Sequence, residues 1–195
     1  MPAPKILVIP GSLRTGSHNV KLAALAAKEL ALAGAEVTRI SLQDYALPLF
    51  DADLAAASGP PAAAVKLKQT LMTHHGVFIT SPEYSASVTP LIKNTIDWIS
   101  RVRERGEPAY AAFKGRVFAI GSATAGGGGG LRSMMALRQI LELGCGALVV
   151  PEQVGVPRAE QAFDEMDNLK DEALTAALKG AVQRLVELAG MMARA

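Results

Sequence analysis

The chain has 195 residues, half of them hydrophobic, with 20 Lys and Arg against 18 Asp and Glu for a net charge of +2. That supports one sizeable core in a single domain over 1–195, while the absence of long basic blocks argues against nucleic acid as a partner. A single cysteine, Cys145, excludes an internal disulfide, and no uncharged apolar run reaches the length of a bilayer span. The opening MPAPKILVIPG has too short an apolar run for a secretory leader, so a cytoplasmic location is expected.

In chain order, KILVIP (5–10) is an unalternating apolar run closed by Gly11, the pattern of a strand buried on both faces. Ser17 suits the N-cap of an Ala-rich helix running to Gly34. EVTRISL (36–42) alternates with polar residues and predicts a more exposed strand. The Pro-punctuated segment 44–61 predicts a loop. A helix is expected over 62–74, a strand over 76–81 stopped by Pro82, a helix over 90–104 and a strand over 115–122. The glycine run 126–130 opens onto a helix over 131–143, followed by a strand over 147–151. The last helix, over 167–192, carries Leu174, Leu178, Ala181, Leu185 and Leu188 on one face. Five strands alternating with five helices predict a parallel sheet covered on both sides. In such sheets ligands bind beyond the carboxyl ends of the strands. The loops 11–19, 82–90 and 122–130 all follow strands and therefore share that edge.

The first loop, GSLRTGSHN, places Gly11 and Gly16 five apart, as in a Walker nucleotide loop, but Ser17 and His18 stand where that loop needs its lysine. Ser12, Ser17, Arg14 and the Asn19 side chain, at a helix N-terminus, suit a terminal monophosphate better than a triphosphate. The same residues also suit an ordinary capped helix with an exposed arginine. In the second loop Tyr84 offers a flat face with a polar tip, or simply packs on the surface. The third loop's glycines leave backbone clear of side chains, which admits a flat ligand or makes a floppy turn. On the 90–104 helix, Leu91, Ile92, Ile96, Trp98, Ile99 and Val102 spread over roughly 160°, wider than the stripe of about 100° that one sheet requires. The excess predicts a second covered surface: another subunit, or a neighbouring segment of the same chain.

Taken together, GSLRxxSxN after the first strand, PEY after the third and KNxIDW on the next helix resemble the NADPH-dependent FMN reductase family, a flavodoxin-like group that includes bacterial quinone, chromate and azo-dye reductases. The resemblance implies a three-layer sandwich with a five-stranded parallel sheet in the order 2-1-3-4-5. It implies non-covalent FMN, with the phosphate on Ser12, Arg14, Ser17 and Asn19. The ring would lie against Pro82, Glu83, Tyr84 and Ser85, with the third loop from Ser122 at its edge. It further implies NAD(P)H as donor and quinones, chromate, ferric chelates or azo dyes as acceptors. Ping-pong kinetics and a dimer or tetramer using the 90–104 helix complete the expectation. No side chain stands out as a catalytic acid or base. Two departures matter: Ser85 replaces an Asn common in the family, with an expected loss of a hydrogen bond to the flavin, and TPLIKN replaces a Pro-Gly segment. A one-electron flavodoxin-type carrier is the rival reading; such carriers are strongly acidic with Thr-rich phosphate loops. A non-catalytic small-molecule-binding scaffold is a third.

The remaining candidates read as structural. Cys145 between two glycines suits packing. His74 and His75 end a helix, where positive charge suits the dipole. They have no partners at metal-ligand spacing, and no metal site is expected. His18 is expected to be solvent-exposed, and Met134, Met135, Met191 and Met192 to serve packing or an interface.

Overall fold

The computed structural model describes residues 3–193. Its centre is a five-stranded, wholly parallel sheet in the order β2-β1-β3-β4-β5. The strands are β1 (Lys5–Pro10), β2 (Glu36–Arg39), β3 (Gly76–Thr80), β4 (Val117–Ala123) and β5 (Leu148–Val156). The helices are α1 (His18–Leu32), α2 (Ala52–Ser58), α3 (Ala62–Met72), α4 (Pro90–Arg101), α5 (Leu131–Gln139), α6 (Ala159–Ala162) and α7 (Glu172–Met192).

Alternation within buried strands divides the core. Ile6, Val8, Phe78 and Ala119 point to the face covered by α1 and α7, where they meet Leu22, Leu30, Leu178 and Leu185. Leu7, Ile9, Val77, Ile79 and Phe118 point to the other face and meet Leu67, Ile92, Ile96 and Leu137 from α3, α4 and α5. On α7 the buried stripe is Leu178, Ala181, Val182, Leu185 and Ala189, with Leu174 and Leu188 only partly buried beside it.

Several boundaries differ from expectation for local reasons. β2 stops at Arg39, and Leu42–Tyr45 forms a single 3-10 turn. The expected loop 44–61 contains α2, whose N-terminus is held by Asp51 accepting from the N–H groups of Asp53 (2.7 Å) and Leu54 (3.0 Å). β5 runs past Pro151 to Val156, because the ladder with β4 shifts register between Phe118 and Ile120 and absorbs the proline in the irregularity. α5 gives way after Gln139 to a wider π-helical turn over Ile140–Gly144. α7 begins only after Asp171, whose carboxylate caps Ala173 and Leu174.

The wide apolar face of α4 is covered from within the chain, and this corrects the expectation that the 90–104 helix turns it to another subunit. Trp98 is 0% exposed. Its indole N–H donates to the Pro48 carbonyl at 2.7 Å, and Phe50 packs edge-on against it at 5.1 Å. Asn94 fixes the same strap by donating to Pro48 O (2.9 Å) and accepting from Phe50 N–H (2.7 Å). Leu47, Phe50 and Ala55 complete the cover. The segment between β2 and α3 is thus a second layer over α4.

Both histidines at the end of α3 also differ from expectation. His74 is buried and its Nδ1 lies 2.6 Å from Thr70 O, while His75 Nδ1 accepts from Lys5 N–H at 2.9 Å. Burial pulls His74 below the usual imidazole range, against the hydrogen bond to Thr70. A charge on the dipole is therefore not its role. Cys145 is buried packing, as expected, and burial pushes its thiol up to about 11.

Candidate functional site

At the carboxyl edge of the sheet the loops after β1, β3 and β4 are tied together by hydrogen bonds to backbone. Gly11 N–H donates to Thr80 O at 2.6 Å, and Thr89 Oγ1 donates to Gly11 O at 3.0 Å. A side chain at Gly11 would come within 2.5 Å of Ile92 Cγ1 and 2.7 Å of Thr80 O, so glycine is required for this approach. Ser81 N–H donates to Gly121 O at 3.0 Å, which joins the exits of β3 and β4.

Between these loops lies a crevice of about 290 Å³. Ser12, Arg14, Ser17, His18 and Asn19 line one end; Pro82, Glu83 and Tyr84 line one side; Ala123, Thr124 and Ala125 line another, with Glu160 of α6 at the rim. The end formed by the first turn of α1 is built for an anion. Ser17 occupies the N-cap position, but its hydroxyl does not cap the helix. Among the described residues the His18 and Asn19 N–H groups have no acceptor. The Arg14 guanidinium is exposed beside them, touching only its neighbour's carbonyl, Thr15 O, at 3.3 Å. The Ser12 hydroxyl accepts from Arg14 N–H at 3.3 Å, keeping its own hydrogen free to donate.

Four expected site residues are placed differently. Asn19 does not aim its side chain at an anion: its amide donates to Ala123 O (2.7 Å) and accepts from Ala123 N–H (3.0 Å), clamping α1 to the end of β4. Ser122 is fully buried and donates to Ser81 O at 2.7 Å, outside the crevice lining. Glu83 turns its carboxylate away from the open space, accepting from the N–H groups of Arg132 (3.1 Å) and Ser133 (3.3 Å) and pairing with the Arg132 side chain. It thereby supplies the cap that α5 lacks, since Gly130 at the N-cap has no side chain. Burial pushes the Glu83 carboxyl up, but the bonds from Arg132 and Ser133 outweigh it and hold it below the usual carboxylate range.

Ser85 lies outside the lining, exposed at a turn corner. Tyr84 and Ser87 exchange two backbone bonds of 3.0 Å, and the corners Ser85 (φ 49°) and Ala86 (φ 62°) both lie in the left-handed region. Such turns favour Asn followed by Gly. The backbone alone therefore gives a reason for Asn to suit this position. Tyr84 is 52% exposed and stands between the crevice and a shallower depression of about 260 Å³ formed with Leu13, Thr89 and Leu91.

Sequence reasoning missed five lining residues: His18, Ala123, Thr124, Ala125 and Glu160. Glu160 sits on the short helix α6, which has no periodic signal. Thr124 and Ala125 immediately precede the glycine run, and that position was the available clue. His18, expected in solvent, is half-buried against Phe163 with rings parallel and centroids 6.1 Å apart. Of the five glycines, Gly126, Gly127 and Gly128 face open space. Gly129 packs on Gly155, and a side chain at Gly130 (φ 77°) would overlap the Ser122 hydroxyl. Among the described residues no three His, Cys, Asp or Glu side chains gather as metal ligands, and no helix is long and apolar enough to cross a membrane.

The sequence model of NADPH-dependent FMN reductases matches residues 4–161, which span all three loops. The chain belongs to the NADPH-dependent FMN reductase family. Among its curated relatives is an NAD(P)H-dependent FMN reductase of Pseudomonas aeruginosa, 33% identical over 183 residues that cover 93% of this chain and 92% of that protein. A quinone reductase of Escherichia coli strain K12 is 36% identical over 138 residues, covering 70% of this chain and 69% of its own. Among solved structures, the flavoenzyme NAD(P)H:(acceptor) oxidoreductase of Paracoccus denitrificans superposes with a TM-score of 0.79 at 26% identity, covering 97% of this chain and 99% of that one. That superposition takes in nearly the whole of both chains, so the two share the flavodoxin-like fold described above.

Proposed function

We propose that the chain is an FMN-dependent NAD(P)H oxidoreductase that reduces quinones and related small oxidants. The observation that carries this reading is the open first turn of α1, aimed into the crevice with two N–H groups, two hydroxyls and Arg14. This donor set matches a phosphate monoester in charge and size, and it needs no metal to grip it.

Ser12, Arg14, Ser17 and the N–H groups of His18 and Asn19 would hold the FMN phosphate. Pro82, Tyr84 and the backbone from Thr124 to Gly128 would hold the ring. FMN held there would supply the hydride-transfer chemistry between NAD(P)H and the oxidant. The protein's work is positional. The side chains of Asn19 and Glu83 are turned to other work: they lock α1 to β4 and the second loop to α5, so that the walls keep their spacing. Gly126 to Gly128 present backbone without side chains, and N–H groups there are suited to a flat, electron-rich edge. The exposed Tyr84 and the depression beside it leave room for donor and oxidant in succession, consistent with ping-pong kinetics. Chromate, ferric chelates and azo dyes meet the same requirement of access to an open site. A dimer or tetramer is the family's implication, and α4 no longer argues for it.

The test is anaerobic mixing of the FMN-loaded chain with NADPH, then benzoquinone. Rapid loss of flavin colour and its return on adding the quinone is the expected result. Failure to bind FMN, or bound FMN that ignores NADPH, would overturn the reading; the second outcome would favour a one-electron carrier.

A further inference from the structure

The proposed function leaves two ionisable side chains of the crevice without a task, Glu160 at the rim and His18 on the wall. His18 stands at the first position of α1, and its ring lies against Phe163. Its Nδ1 is shut off from solvent with no hydrogen-bond partner among the described residues. The other polar groups of this wall are engaged or plainly aimed: Asn19 on Ala123, Glu83 on Arg132, Ser12 on Arg14 N–H.

Resting on the reading that FMN fills this crevice, we propose that entry of its phosphate is coupled to uptake of a proton from solvent by His18. The charges facing the ring set the direction. From the first loop Arg14, and from its own helix Lys21, repel a positive imidazole; Glu160 of α6 attracts one. Lys21 is itself paired with Asp167, and Glu83 across the crevice is neutralised by Arg132. The positive end of the α1 dipole adds to the repulsion. Burial and then Arg14 and Lys21 hold His18 below its usual range, so in the free protein the ring is neutral near pH 7. A phosphate dianion placed at this turn reverses the balance. It neutralises Arg14 and the open N–H groups, and it leaves a negative charge next to an imidazole, the type of side chain whose ordinary range lies nearest pH 7. The proton goes to the ring nitrogen that lacks one; no bond to the ligand forms or breaks.

The histidine inventory makes the effect attributable. The chain has three histidines. His74 and His75 lie at the amino ends of the strands, where His75 bonds to the start of β1, on the edge opposite the crevice.

The experiment is calorimetric titration of the whole chain with FMN near pH 7, in two buffers of different ionisation enthalpy, and with riboflavin as the probe that lacks the phosphate. The expected result is net proton uptake with FMN and none with riboflavin. In His18→Phe, which keeps a ring against Phe163, and in His18→Gln, FMN binds without uptake. The affinity ratio of wild type to His18→Phe rises as pH falls from about 8 to 6, by up to about tenfold per pH unit for one whole proton. The imidazole resonances of the wild-type protein give a second reading, with His18 titrating higher once FMN is bound. Equal uptake in His18→Phe, equal uptake with riboflavin, or FMN binding with no uptake would each overturn this coupling while leaving the oxidoreductase reading intact. No FMN binding at all would overturn both.

Discussion

Ala86→Gly is expected to stabilise the protein even though Ala86 is exposed. Its φ of 62° places an L-residue in the left-handed region, at a cost of about 1–2 kcal/mol. Glycine removes that cost but widens the unfolded ensemble, which takes back about 0.4–1 kcal/mol. The balance is a gain of about 0.5–1 kcal/mol, or about 1–4 °C in Tm for a chain of this size. The two backbone bonds between Tyr84 and Ser87 hold the turn in either case, so the fold and the place of Tyr84 should not change. Differential scanning calorimetry reads the shift. Ala56→Gly, at an exposed interior position of α2, is the control and should lower Tm, because there glycine costs about 0.5–1 kcal/mol with no strain to relieve. If Ala86→Gly lowers Tm as the control does, the left-handed turn is not strained and the account of Ser85 fails with it.

Three further outcomes follow from buried groups. Asn19→Ala should cost about 2–3 kcal/mol in urea unfolding, because it strands the N–H and C=O of Ala123 inside the core; a loss below about 0.5 kcal/mol would show that Asn19 is not the clamp. Cys145, with its thiol raised to about 11, should resist iodoacetamide in the native protein at about pH 8 and react on unfolding; rapid native labelling would contradict its burial. His74 has its folded value depressed by burial, so the unfolded chain binds more protons and stability falls as pH drops below about 6.5. His74→Gln should reduce that slope, and an unchanged slope would refute it.

The sheet was readable because KILVIP, GVFIT and RVFAI are short apolar runs without alternation, bounded within two residues by glycine or proline, a pattern that fits strands buried on both faces. α2 was hidden by the prolines on either side, although Asp51 before ADLAAAS carried a capping signal. The far half of β5 was hidden because Pro151 and Gly155 break the pattern, and only the register shift against β4 makes them tolerable. In the site, the chemistry of the donors was legible and the directions of the side chains were not. Asn19 faces Ala123 and Ser122 faces Ser81 through partners far away in sequence, which no local spacing reports. The width of α4's apolar face was read correctly, but its cover came from Pro48 and Phe50, in a segment whose composition suggested only a loop.

Flavin fluorescence titrations of the wild-type chain and Arg14→Ala, each with FMN and with riboflavin, test the phosphate end of the crevice most directly. FMN should bind the wild type more tightly than riboflavin. Arg14→Ala should weaken FMN about 10- to 150-fold, the equivalent of one lost charge-assisted contact of about 1.5–3 kcal/mol, and leave riboflavin unchanged. Equal affinities for the two flavins in the wild type, or an FMN affinity indifferent to Arg14, would contradict it.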